Sequence, residues 1–298
     1  MQFDRTLISV RERGAFETLD LSLHVLRRWW FPLLMSFLVL VIPLAIINAW
    51  LLDWILSGTD FVVGSRSENA IAGVRYAWTM ALLVFLEAPF ASGLTTFILG
   101  GLVFDERPKL LTARKPLTQL AWLMFTIRGI GLAWILLIWV RGTTFAFSLQ
   151  EAGILLLVFV VAAVRLSRPF LPEVVILEQL KSTRNKIDGI TLSMRIASLH
   201  TSYGGEIVGR SVMMLFVCVM LTISVFGSLL FVSESLLFDG DVGPLILRTT
   251  WPIALWTVAL LVAVVRFLNY LDIRVRAEGW EVELQMRAEA QRIKRGMG

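Results

Sequence analysis

Six runs of apolar residues, each close to the length needed to cross a bilayer, leave this chain few ways to fold. They occupy residues 29–52, 76–103, 117–140, 144–166, 211–233 and 251–271. A helix needs about 20 apolar residues to traverse the hydrocarbon, because every backbone N–H and C=O must be satisfied within the segment. The whole chain is 57% hydrophobic and 17% charged, with a mean hydropathy of +0.75, beyond what a soluble core requires. The expected fold class is therefore all-α: a polytopic membrane helix bundle of about six transmembrane helices with cytoplasmic amphipathic helices. The fourth run is interrupted by Gln150 and Glu151, leaving an apolar core from Gly153 to Val164 that suits a short or tilted span.

The charges orient this scheme. With residue 1 inside, the inner segments hold 23 lysines and arginines, while the outer segments hold only Arg66, Arg75, Arg141 and Arg248. That asymmetry is the positive-inside pattern, and it predicts a bacterial inner membrane location with both termini cytoplasmic. Trp29, Trp30, Trp50, Trp54, Trp78, Trp139 and Trp251 fall at run ends, where indole rings prefer the headgroup level. The net charge of +5 is spread over the flanks of apolar runs rather than gathered in a basic domain, which argues against nucleic acid as a partner. The bilayer itself is the expected partner, with anionic lipid at the cytoplasmic face drawn to basic amphipathic segments.

Three parts follow. Residues 1–28 form a cytoplasmic amphipathic N-terminal segment with Leu19, Leu23 and Leu26 at helical spacing; no cleavable signal is expected, since the first apolar run is long enough to span. Residues 29–271 form the six-span domain, including a cytoplasmic helical insertion at 167–210 that starts near Pro172 and rests partly on the membrane. Residues 272–298 form a cytoplasmic amphipathic C-terminal helix, with Glu283 and Arg287 as an i,i+4 pair.

Recognised catalytic motifs are missing from the sequence. It has no phosphate-binding G-x-x-x-x-G-K-[ST] loop and no H-E-x-x-H, and its two histidines, His24 and His200, sit beside leucines where packing explains them. Cys218 is alone, so neither an intrachain disulfide nor a multi-thiolate metal site can form. No catalytic residue, cofactor or metal is assigned.

Two charges fall near the middle of apolar runs. Glu87 and Arg128 lie at similar depth by count from the run ends, and a lone charge there costs about 2.5–3.5 kcal/mol on insertion scales. A buried Glu87–Arg128 pair is expected, either as part of a polar pathway or as a lock between helices. Pro89 and Gly93 predict a helix break beside it, a device seen at transporter binding sites and also in structural spans.

The 266–284 segment, RFLNYLDIRVRAEGWEVEL, resembles the closing segment of a group of uncharacterised bacterial multi-pass membrane proteins. Members of that group are often found beside membrane proteins carrying transglutaminase-like domains. Glu87-Ala88-Pro89-Phe90, the 168–178 segment RPFLPEVVILE and the 204–210 segment GGEIVGR are similar to the same group. The resemblance implies membrane location and topology and carries no activity. It directs attention to the cytoplasmic segments in which Arg168, Glu173, Glu178, Glu206 and Arg210 would face Asp272, Arg274, Arg276 and Glu278, either as a platform for a protein partner or as a self-contained packed face. The leading expectation is a non-enzymatic scaffold or subunit of a cell-envelope complex. A transporter or channel-like subunit centred on Glu87, Pro89 and Arg128 is the alternative, and a membrane enzyme acting on lipid or envelope precursor the weaker one.

Overall fold

The computed structural model describes residues 14–57, 66–103, 110–140, 149–168, 170–178, 192–201, 204–237 and 244–277. Among these every regular element is helical: α1 (Ala15–Arg28), α2 (Trp30–Ser57), α3 (Arg66–Ala91), α4 (Gly93–Val103), α5 (Leu110–Trp122), α6 (Ile130–Val140), α7 (Leu149–Ser167), α8 (Leu171–Glu173), α9 (Leu192–Thr201), α10 (Gly204–Leu237) and α11 (Pro244–Ala277). Five-residue π-helical turns extend α5 over Leu123–Ile127 and α8 over Val174–Glu178.

The apolar pattern decides how these helices are used. On α2 the residues Leu33, Phe37, Val41, Leu44, Asn48 and Leu52 are buried at three- to four-residue intervals, while Val39, Ile42, Ile46 and Trp50 on the other face are exposed. A helix that is apolar both toward its neighbours and away from them has lipid as its solvent. α10 takes this further, with only 6% of its most apolar stretch buried and Leu215, Phe216, Ile223 and Phe231 exposed. α11 is the central element, buried over 61% of the corresponding stretch and packed against α1, α2, α3, α4 and α10. The protein is a polytopic helical bundle of membrane type.

Four described helices are long and apolar enough to cross a membrane, within Trp30–Leu56, Ile71–Ala91, Gly204–Ser233 and Leu245–Ala277. The bent pair α5 and α6 adds a fifth if it is one span. The count of six is therefore not reached among the described residues. Of the run at 144–166, residues 149–166 lie in α7, whose apolar stretch among the described residues is Leu155–Val164. The run at 76–103 is not one helix: α3 starts at Arg66, ends at Ala91 and passes through Ser92 into the short α4. Pro89 removes a backbone donor just before this junction. Gly93 opens α4 where a Cβ would lie 3.0 Å from Leu117 and Leu120 and 3.3 Å from Ile176, so the junction is held close to its neighbours.

The run at 117–140 is also interrupted, by a 47° bend between α5 and α6. The π-helical turn widens the end of α5, and Gly129 then adopts φ +76°, which an L side chain tolerates poorly. A Cβ at Gly129 would also lie 2.9 Å from Leu157. Gly129→Ala is expected to cost about 1–2 kcal/mol from the backbone conformation alone, measured as a fall in midpoint in detergent denaturation; an unchanged midpoint would show that the bend relaxes freely.

Two expectations about the amphipathic segments are corrected. The 170–178 stretch does not rest on a surface: Phe170, Leu171, Pro172, Glu173, Val174, Val175 and Ile176 are all buried, between α4, α5 and α11, because an almost wholly apolar segment gains most by full enclosure. On α1 the buried face is Thr18, Ser22 and Val25 rather than the leucine row, and Leu23 is exposed. Small residues let α1 approach α11. Their hydroxyls are satisfied within the helix, Thr18 Oγ1 donating to the Gly14 carbonyl at 3.1 Å and Ser22 Oγ to that of Leu19 at 2.6 Å. The α11 helix continues past 271 as far as Ala277; Glu278 and the rest of the expected C-terminal helix lie outside the described residues.

Candidate functional site

Three polar groups are built into the bundle. The first surrounds Glu87 on α3, whose side chain is fully buried. Asn48 Nδ2 on α2 donates to Glu87 Oε2 at 2.6 Å, and Trp134 Nε1 on α6 donates to Oε1 at 2.9 Å. The expected Glu87–Arg128 pair is not formed. Counting from the run ends treated the third run as a straight helix, whereas the bend places Trp134 beside Glu87. Trp134 lies six residues beyond Arg128, or about 9 Å along a helix at 1.5 Å per residue.

The second group gathers at the two helix interruptions. Arg128 is 3% exposed and its Nη2 donates to the Arg168 carbonyl at 3.2 Å. Arg266 on α11 reaches the other interruption, its Nη2 donating to Ser92 Oγ at 2.7 Å and its Nε to Oε1 of the fully buried Glu173. Of the charges acting on Arg128, Arg266 and Arg168 repel it and Glu173 attracts it. Phe90 and Phe125 meet edge-to-face at 5.7 Å beside the same interruptions.

The third group closes the end of the bundle at which α10 begins and α11 ends. Glu178 receives Arg195 Nε and Nη2 at 2.9 and 3.1 Å and the Tyr270 hydroxyl at 2.6 Å, with Arg274 Nε at 3.9 Å. Arg276 forks onto Glu206 at 2.9 and 3.0 Å and also reaches Asp272 at 2.8 Å. Arg210 bridges Asp272 at 2.9 Å, Glu206 at 2.6 Å and the Asn269 amide oxygen at 2.9 Å. Paired forks of this kind fix direction as well as distance. An open cleft of about 710 Å³ lies alongside, lined by Ala15, Glu17, Glu206, Gly209, Arg210 and Arg276 among others.

The structure thus brings Glu178, Glu206, Arg210, Asp272, Arg274 and Arg276 together, as the docking of 168–210 on the last helix required. Glu173 and Arg168 belong instead to the second group, deeper along α11, because Glu173 is carried inward by the buried 170–178 segment. Asn48, Trp134, Arg195, Arg266, Asn269 and Tyr270 were not assigned from the sequence. Asn48 carried a usable signal, as an amide inside an otherwise apolar run; Arg266 was counted only as topological charge. His24 does not pack: its side chain is 71% exposed, with Nδ1 3.6 Å from Asp20.

By fold and polar groups this is a multi-pass helical membrane protein with a charged, interlocked end. Compared with known protein families, curated proteins and solved structures, the chain finds no match.

Proposed function

We propose that this chain is a non-enzymatic scaffold or subunit of a cell-envelope complex, seated in a bacterial inner membrane with both termini cytoplasmic. The observation that carries this reading is the interlocked charged end: Glu178, Glu206 and Asp272 each join cations from different helices, so α9, α10 and α11 present one pre-arranged surface. Ordering such a surface in advance lowers the entropic cost of receiving a partner. Its many arginines agree with a cytoplasmic side, and the resemblance of the 266–284 segment to uncharacterised bacterial multi-pass membrane proteins is part of the same reading.

A photo-crosslinking amino acid placed at Gly205 or Gly209, in intact membranes, tests this. One discrete protein adduct is expected from these sites, lost when Glu206→Ala and Arg276→Ala are combined, and none from the lipid-facing Phe216 or Ile223. Only lipid adducts at all four positions would sink the scaffold reading.

A transport role keeps one supporting observation, since interrupted helices next to buried charges are how many transporters build a midplane site. Here the interruptions at Ser92 and Gly129 lie together, joined by Phe90 and Phe125. Access of water to Glu87 separates the two readings.

A further inference from the structure

Among the described residues, Arg128, Arg168 and Arg266 together outnumber the one carboxylate near them, Glu173. The guanidinium of Arg128 has five N–H donors, yet among the described residues its hydrogen bond goes to one backbone carbonyl, and it is 3% exposed. Arg266 spends Nε on Glu173 and Nη2 on Ser92, and its Nη1 has no acceptor among the described residues. Arg168 is exposed at the surface of the bundle. A charge held this far from water requires an opposite charge and acceptors for its donors, and Glu173 is already engaged with Arg266.

From this geometry we propose that Arg128, Arg168 and Arg266 form a binding site for one phosphate group. Three properties of the site fit that chemistry. Guanidinium groups offer paired N–H donors that match the oxygens of a phosphate. Arg168 is exposed, Arg266 is half-buried and Arg128 is buried, so the group can enter past Arg168. The site also lies at the end of α7, whose exposed Leu156, Phe159, Val160 and Val164 lead along the helix to Ser167 and Arg168. Acyl chains laid on that face would bring the phosphodiester of a phospholipid to the arginines, which makes lipid the first source to test and free phosphate the second. This goes beyond a scaffold role and does not depend on it.

The test uses the full chain, delipidated in detergent, with the thermal midpoint followed during titration. Phosphatidylglycerol is expected to raise the midpoint, and a diacylglycerol with the same chains to leave it unchanged. Losing one charge-assisted contact in Arg168→Gln or Arg128→Gln should raise the half-saturating concentration about tenfold, whereas Arg27→Gln, an exposed arginine on α1, should not. If Arg128→Gln does not fold, the exposed Arg168→Gln decides. An equal response to inorganic phosphate assigns the site to the free ion; response to phosphatidylglycerol alone assigns it to lipid. The proposal is overturned if diacylglycerol acts as well as phosphatidylglycerol, if neither phosphate source acts, or if the response survives Arg168→Gln unchanged.

Discussion

Replacing Arg266 with Met is expected to destabilise the bundle by about 3–5 kcal/mol, the cost of leaving a buried carboxylate without its cation. Glu173 is fully buried, Arg266 donates to it, and its second oxygen, Oε2, has no hydrogen-bond partner among the described residues. The methionine side chain fills much of the arginine stem's volume, so the loss reports charge rather than packing. The same substitution also strands Ser92 Oγ as an acceptor at the α3–α4 junction. In thermal denaturation the midpoint should fall on the order of 10 °C. Adding Glu173→Gln to Arg266→Met should recover most of that loss, because a neutral amide carries no unpaired charge. A single variant as stable as the parent would mean that Glu173 does not depend on Arg266, and that α11 is held to the 170–178 segment by apolar contact alone. A double variant worse than the single would make Glu173 valuable for its shape rather than its charge.

The fold class and membrane character were legible from run length and composition, because lipid allows so few ways to satisfy a backbone. The packing partners were less so, and for definable reasons. The pattern of α2 showed that it would be apolar, yet with lipid on one side and protein on the other, both faces carry similar side chains and periodicity loses its meaning. Leu44 and Ile46 look alike in sequence; one is 3% exposed and the other 65%. The 170–178 stretch was misplaced for the same reason, since a short apolar segment suits either a membrane surface or an interior. The charged end was better read. Arg274 and Arg276 do meet Glu178 and Glu206, because an ion pair in sequence has few candidate partners once two segments share a side of the membrane. What depth counting could not supply was the course of a bent helix. The left-handed Gly129 and the π-helical turn move everything after Arg128, so the residue that reaches Glu87 is an aromatic donor.

That substitution of partner sets the second large effect. Glu87→Leu removes the acceptor shared by Asn48 Nδ2 and Trp134 Nε1, and each buried donor left without a partner costs about 1–3 kcal/mol. If the carboxylate acts as a lock, the loss should be cut markedly by Asn48→Leu, which removes one of the stranded donors and leaves an apolar contact between α2 and α3. Accessibility supplies the discriminating readout. Single cysteines at Glu87, Ala91 and Met124, all fully buried, should resist an aqueous thiol reagent in a Cys218→Ala background shown to be folded and inserted. Silence at all three, together with rescue by Asn48→Leu, makes Glu87 the tie that holds α2, α3 and α6 in register. Labelling at these positions would mean that water reaches the centre of the bundle. A carboxylate kept there despite its cost would then be serving a passage, and the interruptions at Ser92 and Gly129 would become its hinges.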